Sequence, residues 1–151
     1  MIRIICVGKL KETYLKEAVK EYQKRLQKYT ALEIVEVMDE GLLEPALALK
    51  KEQAKIEEYL LPKTYLITLE IEGKQMSSVE FAKQLDQLFF NHSHLTFLIG
   101  GSYGLSEELK RRANLRLSFS KMTFPHQLFR ILLLEQIYRS YKINHNENYH
   151  K

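Results

Sequence analysis

Five short apolar runs alternate with stretches of helical periodicity, and that alternation sets the strongest limit on what these 151 residues can fold into. Ile2–Val7 is apolar almost throughout and closes on Gly8, the pattern of a strand buried on both faces. Leu32–Met38, Thr64–Ile71, Leu95–Ile99 and Arg116–Ser120 read as four more strands, with Gly73 closing the third. Between them the spacing changes. Leu15, Ala18, Val19, Tyr22, Leu26 and Tyr29 share one face of a helix expected within Lys9–Tyr29. Pro45–Leu61 is rich in helix formers, and Pro62 stops it. Ser77-Ser78-Val79-Glu80 fits a capping box; it opens a helix to about Phe90 that turns Val79, Phe81, Ala82, Leu85, Leu88 and Phe89 inward. Ser106 caps a short helix with Glu107 and Glu108 in its first turn. Pro125 begins a last helix to about Ile143. Such alternation predicts an α/β fold, a mostly parallel sheet covered by helices on both faces, in one domain spanning 1–151.

Several classes are excluded or disfavoured. No apolar stretch approaches the roughly 20 residues of a membrane span. Met1 leads straight into a strand-like run without a small-residue cleavage site, so no signal peptide is expected. Cys6 is the only cysteine, which rules out an internal disulfide and suits a reducing, cytoplasmic setting. Its place inside Ile2–Val7 makes it a core residue. The histidines match no metal spacing, so no metal is expected. A net charge of +4 permits an acidic partner without requiring one.

Ligands of open parallel sheets bind beyond the carboxyl ends of strands. Three loops there stand out, those after Leu69, Ile99 and Ser120. Gly100-Gly101-Ser102-Tyr103-Gly104 lets backbone approach a ligand closely, but its place and spacing match neither a dinucleotide fingerprint nor a phosphate loop. A tight turn explains it equally well. Ser118 to Gln127 joins a strand to a helix through an unusual polar segment; the plain reading has Thr123 help cap the helix, with His126 and Gln127 facing solvent. The final helix carries apolar residues around most of its circumference, which suggests a dimer interface over Pro125–Ile143.

These residues also carry a resemblance. Val7-Gly8-Lys9-Leu10-Lys11-Glu12, Ile99-Gly100-Gly101-Ser102-x-Gly104-Leu105, the run Leu117 to Gln127, Glu135-Gln136-Ile137-Tyr138-Arg139 and the closing Tyr149-His150-Lys151 resemble the RlmH family, the bacterial 23S ribosomal RNA pseudouridine N3-methyltransferases of the SPOUT superfamily. The likeness covers nearly the whole chain. It implies a C-terminal trefoil knot, a homodimer, S-adenosylmethionine as methyl donor, and 23S ribosomal RNA on the assembled ribosome as substrate. The alternatives are a SPOUT enzyme acting on transfer RNA and a flavodoxin-like phosphate or flavin protein.

Carried over residue by residue, the donor pocket falls on Leu69, Gly100, Phe119, Ser120, Lys121, Met122, Thr123 and Phe124. Lys9, Lys11, Lys110, Arg111, Arg112 and Lys151 are the expected RNA contacts. His150 is the expected general base for the N3 proton, with Tyr149 stacking on the base, since a histidine titrates near neutral pH. The family commonly has Arg-Gly where this chain has His145-Asn146; asparagine accepts the left-handed backbone that a glycine would take.

Overall fold

The computed structural model describes residues 1–151. Five parallel strands, β1 (Ile2–Val7), β2 (Leu32–Val37), β3 (Tyr65–Gln75), β4 (Leu95–Ile99) and β5 (Leu115–Ser118), form one sheet in the order β2-β1-β4-β3-β5. Helices α1 (Thr13–Leu26), α2 (Pro45–Tyr59), α3 (Ser78–Asn91), α4 (Glu107–Arg112) and α5 (His126–Asn144) follow the strands in turn. The expected α/β architecture is therefore present.

The two-residue period of the strands divides the core into two layers. Ile2, Ile4 and Cys6 of β1, with Leu95, Phe97 and Ile99 of β4, meet Val19 and Leu26 of α1, Leu85 of α3, and Leu133 and Ile137 of α5. On the other face Ile5, Val7 and Leu98 pack with Ile56 of α2 and Leu109 of α4. α5 packs against both α1 and α3.

Several boundaries differ from expectation, each for a local reason. α1 starts at Thr13 because Lys9–Glu12 are held extended: the Leu10 N–H donates to Glu36 and the Lys11 N–H to Gln127. Ser77 and Glu80 form the reciprocal capping box of α3, yet Val79 is exposed, since the buried stripe starts only at Phe81. Thr123 does not cap α5, whose first turn has no side-chain cap. β5 ends at Ser118, where its hydroxyl turns to the carbonyl of Ser120.

β3 departs furthest. It runs on to Gln75, but Leu69 and Lys74 both pair with Leu117, so residues 70–73 bulge out of the ladder. That bulge builds one wall of the site.

Candidate active site

The carboxyl ends of β3, β4 and β5 open on a cavity of about 740 Å³, within the range of small-molecule sites. The three loops selected from sequence all line it: Leu69 with the bulge Glu70–Glu72, the turn Gly100–Gly104, and the segment Phe119–Phe124. Of the eight expected donor residues, Lys121 alone is not in the lining. Its side chain is exposed.

The turn at Gly100 needs a glycine. A Cβ there would drive into the backbone of Gly104, whose N–H donates to the Gly101 carbonyl at 3.1 Å. Ser106 then caps α4 by accepting from the Leu109 N–H at 3.2 Å. Tyr103 ties the turn to the loop after β2 by donating to the carbonyls of Gly41 and Leu43. Phe119 packs on Phe81 and Phe129, and Phe129 also stacks with Phe124. The Ser120 hydroxyl accepts from the Met122 N–H and shapes the polar segment. The result is a cleft with aromatic and aliphatic walls and backbone polar groups along its rim.

Charge enters from the bulge. Glu70 is held by both nitrogens of the Arg116 fork, at 2.6 and 2.8 Å, and by the Thr68 hydroxyl at 2.7 Å. Burial pushes the carboxyl up, but these donors outweigh it and hold Glu70 below the usual carboxylate range. Glu72 and Lys110 are the other acidic and basic side chains of the lining.

Sequence reasoning missed the bulge residues and the start of α5. Pro125, His126 and Phe129 line the cavity, so His126 is not a solvent-facing helix residue. The signal was the position of Pro125-His126 directly after the polar segment. Beneath His126 lies Arg130, 1% exposed. Its Nη1 donates to Glu36 at 2.6 Å and its Nη2 to the Gly8 carbonyl at 3.2 Å. Burial raises Glu36, yet the Arg130 guanidinium and the Leu10 N–H pull it net downward. Burial pushes the neighbouring Cys6 thiol up to about 12, which leaves it no role as a thiolate nucleophile.

The remaining expected residues divide into two groups. Lys9 and Lys11 sit in the exposed segment after β1, and Lys110, Arg111 and Arg112 form the last turn of α4. Lys110 pairs with Glu107 and Arg112 with Glu57. The tail lies elsewhere. Tyr149 packs edge-on against Tyr138 under Arg139, and Arg139 meets His150 Nδ1 at 3.0 Å. Lys142 and Tyr29 fasten Glu147 at 2.7 and 2.8 Å. Asn146 adopts φ +54°, the left-handed turn anticipated for it. Arg139 lies thirteen residue steps along α5 from His126, roughly 20 Å at 1.5 Å per residue. The tail is therefore outside the cavity of its own protomer.

Residues 1–150 match a family described as predicted SPOUT methyltransferase. The chain is 50% identical over 157 aligned residues to ribosomal RNA large subunit methyltransferase H of Clostridium acetobutylicum, covering 99% of both. The protein of that name from Bacillus thuringiensis subsp. konkukian is also 50% identical over 157 residues, with 99% of both covered. That from Caldicellulosiruptor saccharolyticus is 47% identical over 154 residues, with 100% of both covered. Among solved structures, a probable methylase family protein from Haemophilus influenzae Rd KW20 shares the fold: TM-score 0.60 and 12% identity, over 99% of this chain and 70% of that one. With a match across 1–150 and this cavity at its strand ends, the chain belongs to the SPOUT methyltransferase family.

Proposed function

We propose that this protein transfers the methyl group of S-adenosylmethionine to N3 of a pseudouridine in 23S ribosomal RNA, on the assembled ribosome in the cytoplasm. One observation carries the reading: the residues expected to hold the donor converge in one cavity, in a chain about half identical to ribosomal RNA methyltransferases over its full length. The donor supplies an electrophilic methyl on a sulfonium. The chain's task is to hold the donor and align the acceptor. Leu69, Phe119, Met122 and Phe124 enclose the adenine, and backbone groups of Gly100 and the Ser120–Thr123 segment bond its edge, with Lys121 at the rim.

The family reading brings a trefoil knot at the C-terminal end and a homodimer through Pro125–Ile143. Leu128, 40% exposed, and the half-buried Leu132 one turn on give α5 an apolar stripe for a second copy. In that dimer the tail of one protomer closes the cavity of the other. Tyr149 stacks on the acceptor, His150 takes the N3 proton and Lys151 meets a phosphate. Lys9, Lys11, Lys110, Arg111 and Arg112 add phosphate contacts. The Arg112–Glu57 pair and the Glu107 partner of Lys110 are exposed to solvent, so RNA exchanges for these ion pairs at small cost.

Labelled-methyl transfer to assembled ribosomes, free 23S RNA and transfer RNA, run in parallel, tests the reading. Incorporation into ribosomes is expected. Incorporation into transfer RNA alone would assign the other SPOUT substrate class. Calorimetry with the donor and its demethylated product checks the cofactor. No heat and no thermal shift at millimolar-order ligand would remove S-adenosylmethionine from the account.

A further inference from the structure

We propose that His126 is a catalytic residue on the acceptor side of the cavity, where its imidazole N–H hydrogen-bonds a carbonyl oxygen of the acceptor base. The proposal rests on methyl transfer to a ring nitrogen flanked by two carbonyls, as read above. When such a nitrogen gives up its proton, negative charge spreads onto both neighbouring oxygens. A donor already aimed at one of them stabilises that charge as it forms.

Three observations place His126 there. It lines the cavity between Pro125 and Phe129, and its ring takes no part in the side-chain hydrogen bonds of α5, which include those of its neighbours Gln127 and Arg130. An imidazole N–H is thus free for a ligand. Next, the ring lies close over Gly8. Gly8 has φ +101°, and a Cβ there would stand 3.2 Å from His126 Nε2 and 3.9 Å from Asp39 Cβ. The absent side chain is what lets the imidazole seat over β1. Arg130, one helical turn on, grips the Gly8 carbonyl and Glu36 and so locks this face of α5 to β1 and β2. Finally, the connections leaving β1 and β4 diverge, one to β2 and one to β5 at opposite edges. Ligands of open parallel sheets bind beside such a switch point, and the Gly8 end of β1 lies against His126 there.

The atoms balance without any further reactant. The methyl carbon–sulfur bond breaks and its electron pair returns to sulfur. The N3 lone pair forms the new carbon–nitrogen bond. The N3 proton goes to the base, the role given to His150, and His126 keeps its own proton throughout. The charged groups around the ring are Asp39 after β2, Arg130 with Glu36 beneath, and Glu70, Glu72 and Lys110 across the cavity.

Single-turnover methylation of ribosomes at saturating donor, followed from about pH 6 to about pH 10, decides the matter with His126→Ala and His126→Asn, alongside calorimetric donor affinity and thermal stability. His126→Ala is expected to slow transfer at neutral pH by about 100-fold, with donor affinity changed by less than about threefold. Its rate should keep rising at pH values where the wild type has levelled off, because the acceptor then ionises unaided. His126→Asn retains an N–H donor and should recover part of the rate. A uniform loss at every pH, an equal loss of donor affinity, or an unchanged rate would make His126 a wall residue and overturn the proposal. Failure of the wild type to methylate ribosomes is read separately and overturns the proposed substrate.

Discussion

At the scale of single residues, two buried charges make opposite predictions. Arg130 is a buried cation whose two Nη atoms have partners while its Nε has none, and one of those partners, Glu36, is a third exposed at its side chain. Removing the guanidinium leaves a void and an unpaired Gly8 carbonyl. Arg130→Ala should cost about 3 kcal/mol in urea unfolding. Glu36→Gln should cost about 1 kcal/mol or less, since water screens that end. Glu52 is the reverse case. It is 2% exposed; its Oε2 accepts from the Glu40 N–H at 2.8 Å while Oε1 has no partner. Burial, aided by the charges of Asp39 and Glu40, raises its pKa against that one N–H. A raised carboxyl contributes stability below its unfolded value of about 4.3 and loses it as pH rises through the folded value. Glu52→Gln should therefore stabilise the protein on the order of 1 kcal/mol at neutral pH. That gain should vanish as pH falls toward about 4, and denaturant melts across that range measure it. Sequence could not reveal either residue's state. Arg130 sits in an apolar helix, and its partner lies 94 residues away.

Among the elements, strands and helices were legible because both periods are strong, and each expected strand exists within a few residues of its reading. What escaped was irregularity. The four-residue bulge between Leu69 and Lys74 depends on how β5 pairs with β3, a contact between segments some 45 residues apart that no local pattern encodes. The loops after β4 and β5 were legible because glycines and a polar run follow those strands at their carboxyl ends. Gly100→Ala tests the tighter of them. The new methyl meets the Gly104 backbone, not a side chain that could swing aside, so the turn must open. The expected result is a protein that keeps most of its thermal stability but loses measurable heat of donor binding, since the rim groups at Gly100 move from the cleft. Normal donor affinity in that variant would place the donor away from the β4 turn.

At the scale of the whole molecule, strand order lies beyond any local signal. Sequence alternation demands a parallel sheet but leaves its order open. The observed order sets the ends of β3, β4 and β5 together and leaves the C-terminal tail roughly 20 Å along α5 from the cavity it is proposed to serve. If the tail serves a cavity as proposed, that separation calls for a second copy of the chain, and a mixing experiment tests it. His150→Ala carries an intact cavity and a defective tail; Gly100→Ala carries the opposite defects. Each homodimer should be nearly inactive. If the tail works in trans, a mixed dimer pairs the sound cavity of the first chain with the sound tail of the second and holds one working site. Equal amounts, unfolded and refolded together, should then regain about a quarter of wild-type turnover, because half the dimers are mixed and each has one site of two. If the tail serves its own cavity, every site in the mixture retains one defect and no activity returns. Light scattering on the same samples must give twice the 17.9 kDa chain mass; a single-chain mass together with full wild-type activity would remove the dimer from the mechanism.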